Sequence, residues 1–434
     1  MPAGPQHIQF TVSGEIVSVQ GSAIAARLPQ AAVGDLCWVS ARSGEALPGQ
    51  VVSFAGNLFS LALFGEPEGI CPGAKVRTSG TALSVPVGKD LLGRMINPLG
   101  EPVDGLRAPL ASCARRGLYC KPPRASERPI IDTALETGVR AIDGFCTLGR
   151  GQRIGIFASA GAGKSTLLAM IARQAAADVI VVALVGERGR EVREFVEDTL
   201  GAEGLRRSVI VVATSDDSSL LRQTAPLTAT AVAEHFRDEG LDVLLIVDSL
   251  TRTARALRET SIAAGELPVR HGYTNSVYTQ LPKLVERAGR NSSGSITAIY
   301  TVLTNQDEDI DPLADEIKSL LDGHICIRKE MATLRVMPAI DVTTSVSRLF
   351  SRLNGRAERD AAYAVSCALA RLLKERHIMM LGGVPDPELS RILANQEKLL
   401  GCIRQDSSEL STIADARRMV AEAAGLLATG QRNE

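Results

Sequence analysis

One nine-residue stretch restricts the fold of this 434-residue chain more than any other: Ala158-Ser159-Ala160-Gly161-Ala162-Gly163-Lys164-Ser165-Thr166. It follows an apolar run, Arg153 to Phe157, and precedes a segment with helical periodicity, Leu167 to Gln174. A strand, a glycine-rich turn and a helix start in that order aim backbone N–H groups and the positive end of a helix at one point, where phosphate anions bind. Lys164 adds a positive charge for the β- and γ-phosphates, and the Ser165 hydroxyl can ligate Mg²⁺. The candidate nucleotide-binding residues are therefore Ser159, Ala160, Gly161, Ala162, Gly163, Lys164, Ser165 and Thr166. The strict phosphate-loop pattern has glycine where this chain has Ala158, and by itself the motif indicates nucleotide binding and nothing more.

The surrounding sequence supplies an α/β architecture to hold such a loop. Arg153 to Phe157, Val179 to Val185, Val209 to Ala213, Val243 to Val247 and Ile296 to Leu303 are β-branched apolar runs alternating with helical patterns. Near-continuous apolar strands separated by helices predict a parallel sheet covered on both faces. Before it, Thr11 to Val19, Leu36 to Ser40 and Asn57 to Leu63 are short β-type runs punctuated by Gly and Pro, which predict a small barrel or sandwich. The stretch from Val87 to Pro129, with Asn97-Pro98-Leu99-Gly100 and Lys121-Pro122-Pro123, reads as a connector of turns rather than as core. After about Phe350 the β signal stops, and Ala362, Val365, Leu369 and Leu372 mark one face of a helix that Gly382-Gly383-Val384-Pro385 breaks. Two further helical stretches run to Leu427. The expected domains are an N-terminal β domain over 1–83, an α/β domain over 84–349 and a helical domain over 350–434.

Composition narrows the function classes. A hydrophobic fraction of 45% suffices for a large core, and 48 basic against 49 acidic residues leave a net charge of −1. No global field draws such a chain to nucleic acid or to an anionic membrane. The eight cysteines (37, 71, 113, 120, 146, 326, 367 and 402) form no C-x-x-C pair, and the five histidines have no ligand-like spacing. Reduced thiols in a cytoplasmic protein are the expectation. The first ten residues lack the basic and apolar regions of a secretory signal, and no apolar run approaches the ~20 residues needed to span a bilayer. Membrane association is expected to be peripheral and to come through partners.

Three further segments carry candidate chemistry. Glu187 ends an apolar strand in Gly186-Glu187-Arg188-Gly189-Arg190-Glu191-Val192-Arg193. A carboxylate at that edge can orient or deprotonate an attacking water, with Arg188 approaching the γ-phosphate, although on charge pattern alone the segment reads equally as a solvated helix start. Asp248 ends the run Val243 to Val247, where an acid can hold Mg²⁺ through its water shell or simply begin a loop. Arg348 closes the segment that begins at Pro338, and its composition alone says no more than surface arginine.

The wording of these segments is more specific than their chemistry. The sequence from Gly186 to Phe195 resembles the catalytic segment of the type III protein-secretion and flagellar-export ATPases, relatives of the rotary ATP synthase catalytic subunit. The likeness continues through Val211 to Asp216, Thr230 to Asp238, Asp248 to Arg252, Gln280 to Gly289, Leu321 to Ile325 and the segment ending at Arg348. It covers nearly the whole chain and is strongest from about 130 to 350. The resemblance implies a RecA-like P-loop NTPase core with a small N-terminal β-barrel and a helical C-terminal domain. It assigns phosphate binding to Gly161, Gly163 and Lys164, magnesium to Ser165 and Asp248, water activation to Glu187 and γ-phosphate contact to Arg188. Arg348 becomes an arginine finger reaching the neighbouring subunit's nucleotide, in a homohexamer that uses ATP and Mg²⁺. Met337 stands where relatives commonly carry an aromatic that packs on adenine; a methionine can touch a base but cannot stack on it as a flat ring.

The implied function is ATP hydrolysis coupled to releasing chaperones from export substrates and unfolding them. The implied partners are peripheral stator and central stalk proteins, chaperone–substrate complexes and an inner-membrane export gate, at the cytoplasmic face of that membrane, with no nucleic acid. The phosphate-loop wording leans toward the virulence-type injection apparatus rather than the flagellum. A rotary ion-translocating subunit would carry glycine at 158, a hexameric nucleic-acid motor would need a basic channel or stacking platform, and a subunit that only binds nucleotide would lack Glu187.

Overall fold

Alternation of buried and exposed residues shapes the N-terminal region, as in β3 below, where every second side chain points inward. Six strands, β1 (Val12–Gln20), β2 (Ala23–Arg27), β3 (Asp35–Ser40), β4 (Ala46–Ala55), β5 (Leu58–Leu63) and β6 (Lys75–Ala82), join in the order β1-β2-β5-β4-β3-β6. Because β1 pairs with both β2 and β6, the sheet closes into a barrel with no free edge, which decides between the two expected β forms. Ile16, Ile24, Val39, Val51, Leu61 and Val76 fill its interior. The computed structural model describes residues 12–106, 113–159, 161–304, 311–380 and 384–428, with side chains at 376–380 and 428 excepted. Ala160 and the glycine pair at 382–383 lie outside the described residues.

The central sheet contains β7 (Arg94–Ile96), β8 (Arg153–Ala158), β9 (Val179–Glu187), β10 (Ser208–Thr214), β11 (Asp242–Asp248), β12 (Ser295–Leu303), β13 (Gly323–Ile327) and β14 (Val346–Ser347). Their order is β14-β13-β8-β12-β11-β9-β10-β7; the seven strands β7 to β13 are mutually parallel, while β14 runs antiparallel to β13. All nine residues of β9 are buried, because the two faces feed different cores. Ile180, Val182 and Leu184 pack with Leu167, Leu168 and Ile171 of helix α1 (Lys164–Gln174). Val181, Ala183 and Val185 pack with Ala225, Ala229, Val232 and Phe236 of α2 (Ser219–Asp238). Each fully buried Val, Leu, Ile or Phe among them contributes roughly 1.5–3 kcal/mol. A third helix, α3 (Leu250–Ala263), follows β11.

Two strands escape a reading by periodicity. β7 lies in the stretch expected to be a connector, yet it adds to the sheet beside β10, and Leu91, Ile96 and Leu118 of the same stretch are fully buried. Three residues are too short to show a period, and only the partner strand makes them a strand. β13 is similarly short and interleaved with polar residues.

The C-terminal region comprises α4 (Arg356–Met380), α5 (Pro387–Ala394), α6 (Gln396–Gly401) and α7 (Ile413–Ala428), one helix more than expected after the break. Val365 and Leu369 of α4 are buried with Ile392, Leu399 and Val420, in the same apolar cluster as α1. These helices thus continue one face of the sheet rather than standing apart from it.

A buried ion pair fastens the connector to α2. Arg287 grips Glu234 through two hydrogen bonds of 2.8 and 2.9 Å and donates to the Leu118 carbonyl at 2.6 Å, while Arg116 reaches Glu234 at 3.2 Å. Removing one partner leaves an uncompensated buried charge, which costs about 3–5 kcal/mol. Glu234→Ala should therefore lower the unfolding free energy measured by urea titration by that amount, and Glu234→Ala combined with Arg287→Met should recover much of it.

Candidate active site

In an open parallel sheet the strands' carboxyl ends form one edge, and ligands bind there. β8, β9 and β11 end at that edge in Ala158, Glu187 and Asp248. The phosphate loop turns from β8 into α1 on Gly161 and Gly163, both with positive φ (74° and 89°), a conformation that favours glycine. Among the described residues no side chain caps α1, which leaves its first N–H groups available to an anion. Ala162 is buried, whereas Gly161, Ser165 and Thr166 face solvent. Among the described residues the buried Ser159 hydroxyl has no hydrogen-bond partner.

Lys164 draws the edge together. Its ammonium donates to Asp248 Oδ1 and lies 3.5 Å from Glu187 Oε1. Glu187 and Asp248 are 7% and 4% exposed. Glu187 also pairs with Arg252 at 3.2 Å, and Asp248 accepts from the Thr301 hydroxyl at 2.6 Å. Burial raises the Glu187 pKa above its ordinary value, with nearby Asp248 adding to the rise while Lys164 and Arg252 oppose it. The result is a buried carboxyl held beside a cation at the edge where the glycine-rich loop begins.

Arg188 is not drawn into this cluster. Its side chain is 80% exposed and pairs with Glu191 at 3.0 Å, because the chain turns at Gly186 and Arg188 stands at the N-terminal boundary of the next helix. Arg193 pairs with Glu197 one turn along the same surface. Met337 precedes the segment in which the Ala339 carbonyl accepts from the Arg328 N–H; its own carbonyl accepts from the Gln405 N–H at 2.8 Å, and it is 49% exposed.

Arg348 sits at the opposite edge. Ser347 pairs with Gly323, the first residue of β13, and the Arg348 N–H donates to the Asp322 carbonyl at 2.9 Å. The Asp322 N–H in turn donates to the Arg153 carbonyl, at the start of β8. From Arg153 to Ala158 the strand climbs about 16 Å at ~3.3 Å per residue, farther than a side chain reaches. The exposed Arg348 cannot serve its own chain's phosphate loop.

Arg252 and Thr301 were not visible as site residues in the sequence. Arg252 lies four residues after Asp248, in the first turn of α3, a spacing that signals nothing until α3 is placed. Thr301 sits within an apolar strand and meets Asp248 only because β12 and β11 are neighbours. Gly186 is part of the same arrangement: its φ is 66°, and a Cβ there would lie 3.1 Å from Arg252 Cδ. Gly186→Ala should therefore lose about 1–2 kcal/mol in thermal stability and, by displacing Arg252 from Glu187, slow turnover on the order of 10-fold, as thermal melts and steady-state assays would show.

Comparison with known proteins fits this geometry. Residues 138–347 match the nucleotide-binding domain of the ATP synthase alpha/beta family. The chain is 45% identical over 394 residues to a type 3 secretion system ATPase of Xanthomonas euvesicatoria, covering 89% of each chain. It is 44% identical over 420 residues to a flagellum-specific ATP synthase of Treponema pallidum (strain Nichols), covering 95% of this chain and 93% of that one. Among solved structures, the assembled ATPase EscN in complex with its central stalk EscO, from the enteropathogenic E. coli type III secretion system, superposes with a TM-score of 0.86. That match has 39% identity and covers 95% of this chain and all of the other.

Proposed function

This chain belongs to the ATP synthase alpha/beta family, among the ATPases of type III secretion and flagellar protein export, and on that premise we propose that it hydrolyses ATP at sites shared between identical subunits. The observation that carries this reading is the separation of parts: Lys164, Glu187 and Asp248 converge at one sheet edge, and Arg348 lies at the other. A ring in which each subunit presents its far edge to its neighbour's near edge completes every site with a single kind of chain. Turnover per subunit should rise with protein concentration until the ring is formed; turnover independent of concentration and untouched by Arg348→Ala would exclude the shared site.

In the proposed mechanism Ser159 to Thr166 cradle the phosphates through backbone N–H groups, and Lys164 leaves the carboxylates for the β- and γ-oxygens. Glu187, freed of that ammonium and still held by Arg252, orients a water and accepts its proton. Ser165, exposed on the first turn of α1, and buried Asp248 fit a Mg²⁺ ion, which takes few protein ligands. When bound, that ion supplies charge neutralisation to the phosphate oxygens. The Arg348 guanidinium of the adjacent subunit stabilises charge on the transferring phosphoryl group. For Arg188 to contact the γ-phosphate, its side chain must leave Glu191 and turn inward. Met337 offers the base an apolar surface without ring stacking.

The finer reading places the chain in an injection apparatus concerned with virulence, supported by the phosphate-loop wording, where it releases chaperones from export substrates and unfolds them. The proposed divisions are 1–83, 84–349 and 350–434. The ring would be a homohexamer, its C-terminal helices facing chaperone–substrate complexes and a central stalk; EscN with EscO is a precedent for the stalk. Among the described residues no helix is long and apolar enough to cross a membrane. Attachment at the cytoplasmic face of the inner membrane would come through stator proteins and the export gate, and no nucleic acid takes part.

A further inference from the structure

The segment that ends in Arg348 is anchored by a buried acid. Asp341 is 3% exposed, and its two carboxylate oxygens are fully engaged. Oδ1 accepts from the Thr343 N–H at 2.9 Å and from the Thr343 hydroxyl at 2.6 Å, while Oδ2 accepts from the Thr344 hydroxyl at 2.8 Å and faces Arg328 Nε at 3.2 Å. Its main chain is held as firmly: the N–H donates to the Cys326 carbonyl at 2.8 Å, and its own carbonyl accepts from the Ser345 hydroxyl at 2.6 Å. That hydroxyl accepts in turn from the Cys326 N–H at 2.9 Å. The chain then runs back along β13 as β14, with His324 opposite Val346 and Gly323 opposite Ser347, and releases Arg348 at the far edge.

We infer that Asp341 is a positioning residue for the arginine finger, fixing the segment 341–347 against β13 so that Arg348 is delivered to the neighbouring subunit's nucleotide from a preset place. This role rests on the shared-site reading above. A turn alone would need no charge here, since an amide oxygen could accept from Thr343. The fourth partner, Arg328, follows β13 at the nucleotide-side edge, so the ion pair ties the finger's segment to that edge of its own subunit. Asp341 touches no reacting group; it limits how far the finger can wander. A finger displaced by about 1 Å can lose on the order of 10²-fold in rate.

The test mixes variants in pairs and measures ATP turnover at ring-forming concentration. Asp341→Asn keeps one acceptor for Thr343 but sets an amide against Arg328. Alone it should lower kcat roughly 10- to 100-fold with KM unchanged. Mixed with Glu187→Gln it should regain activity, because Asp341→Asn subunits keep an intact hydrolytic edge and receive intact fingers. Mixed with Arg348→Ala it should regain none, because both subunits donate defective fingers. The reverse pattern, rescue by Arg348→Ala and none by Glu187→Gln, would show that Asp341 supports its own subunit's site and would overturn the inference. Full activity of Asp341→Asn beside an inactive Arg348→Ala overturns the role of Asp341 alone, whereas full activity of Arg348→Ala removes the shared-site reading itself. Should Asp341→Asn fail to assemble, Arg328→Ala changes an exposed side chain and carries the same test with the same expected pattern.

Discussion

Arg348→Ala is expected to reduce ATP turnover by about 10³-fold or more while leaving nucleotide binding nearly unchanged. An arginine finger acts on charge that develops as the phosphoryl group transfers, so its loss appears in kcat, and such fingers account for ~10³–10⁵ in rate. Binding should survive because the phosphate loop, Lys164 and Asp248 are all at the opposite edge of the sheet from the altered residue. The informative experiment is an equimolar mixture with Glu187→Gln. Each variant alone has no complete site, but in a mixed ring every junction of an Arg348→Ala hydrolytic edge with a Glu187→Gln finger is intact. With random assembly about a quarter of the junctions are of that kind, which sets the scale of the recovery. A mixture as inactive as its components would mean that Arg348 acts within its own chain or not at all, and the observed separation makes the first of these untenable.

Glu187→Gln should be the second large effect, a loss of roughly 10²–10⁴-fold in kcat, the range for removing a general base, with ATP held rather than released. The substitution keeps the shape of the side chain but removes the carboxylate proposed to accept the proton. It also removes one of the two carboxylates that hold Lys164. Lys164 is then freer to meet the phosphates, so the affinity for ATP should be equal to or greater than that of the wild type. Equilibrium binding of a fluorescent ATP analogue, set beside turnover, separates the two quantities. Weakened binding with turnover reduced in proportion would show that Glu187 serves the ground state and would remove its role as base.

How much of this was legible beforehand depended on how local the signal is. The phosphate loop, the five long apolar strands and the helix whose face carries Ala362, Val365, Leu369 and Leu372 are written in spacing that a chain carries by itself: glycines where φ must be positive, β-branched runs where both faces are covered, apolar residues at helical intervals. Asp248 and Glu187 were found because each ends such a strand. Their meeting with one lysine was not, because it depends on β9 and β11 lying side by side while α1 begins two strands away, beyond β12.

What only the tertiary structure decided is therefore what distance along the chain conceals. Thr301 and Arg252 join the site through strand and helix neighbours, β7 is a strand only because β10 accepts it, and the barrel is closed only because β1 reaches β6. Above all, the sequence determined that the chain has both a phosphate loop and Arg348, and the fold determined that they cannot meet within one subunit. The physical reason is the parallel sheet itself: it gathers the carboxyl ends of its strands at one edge and carries β14, running the other way, to the opposite one.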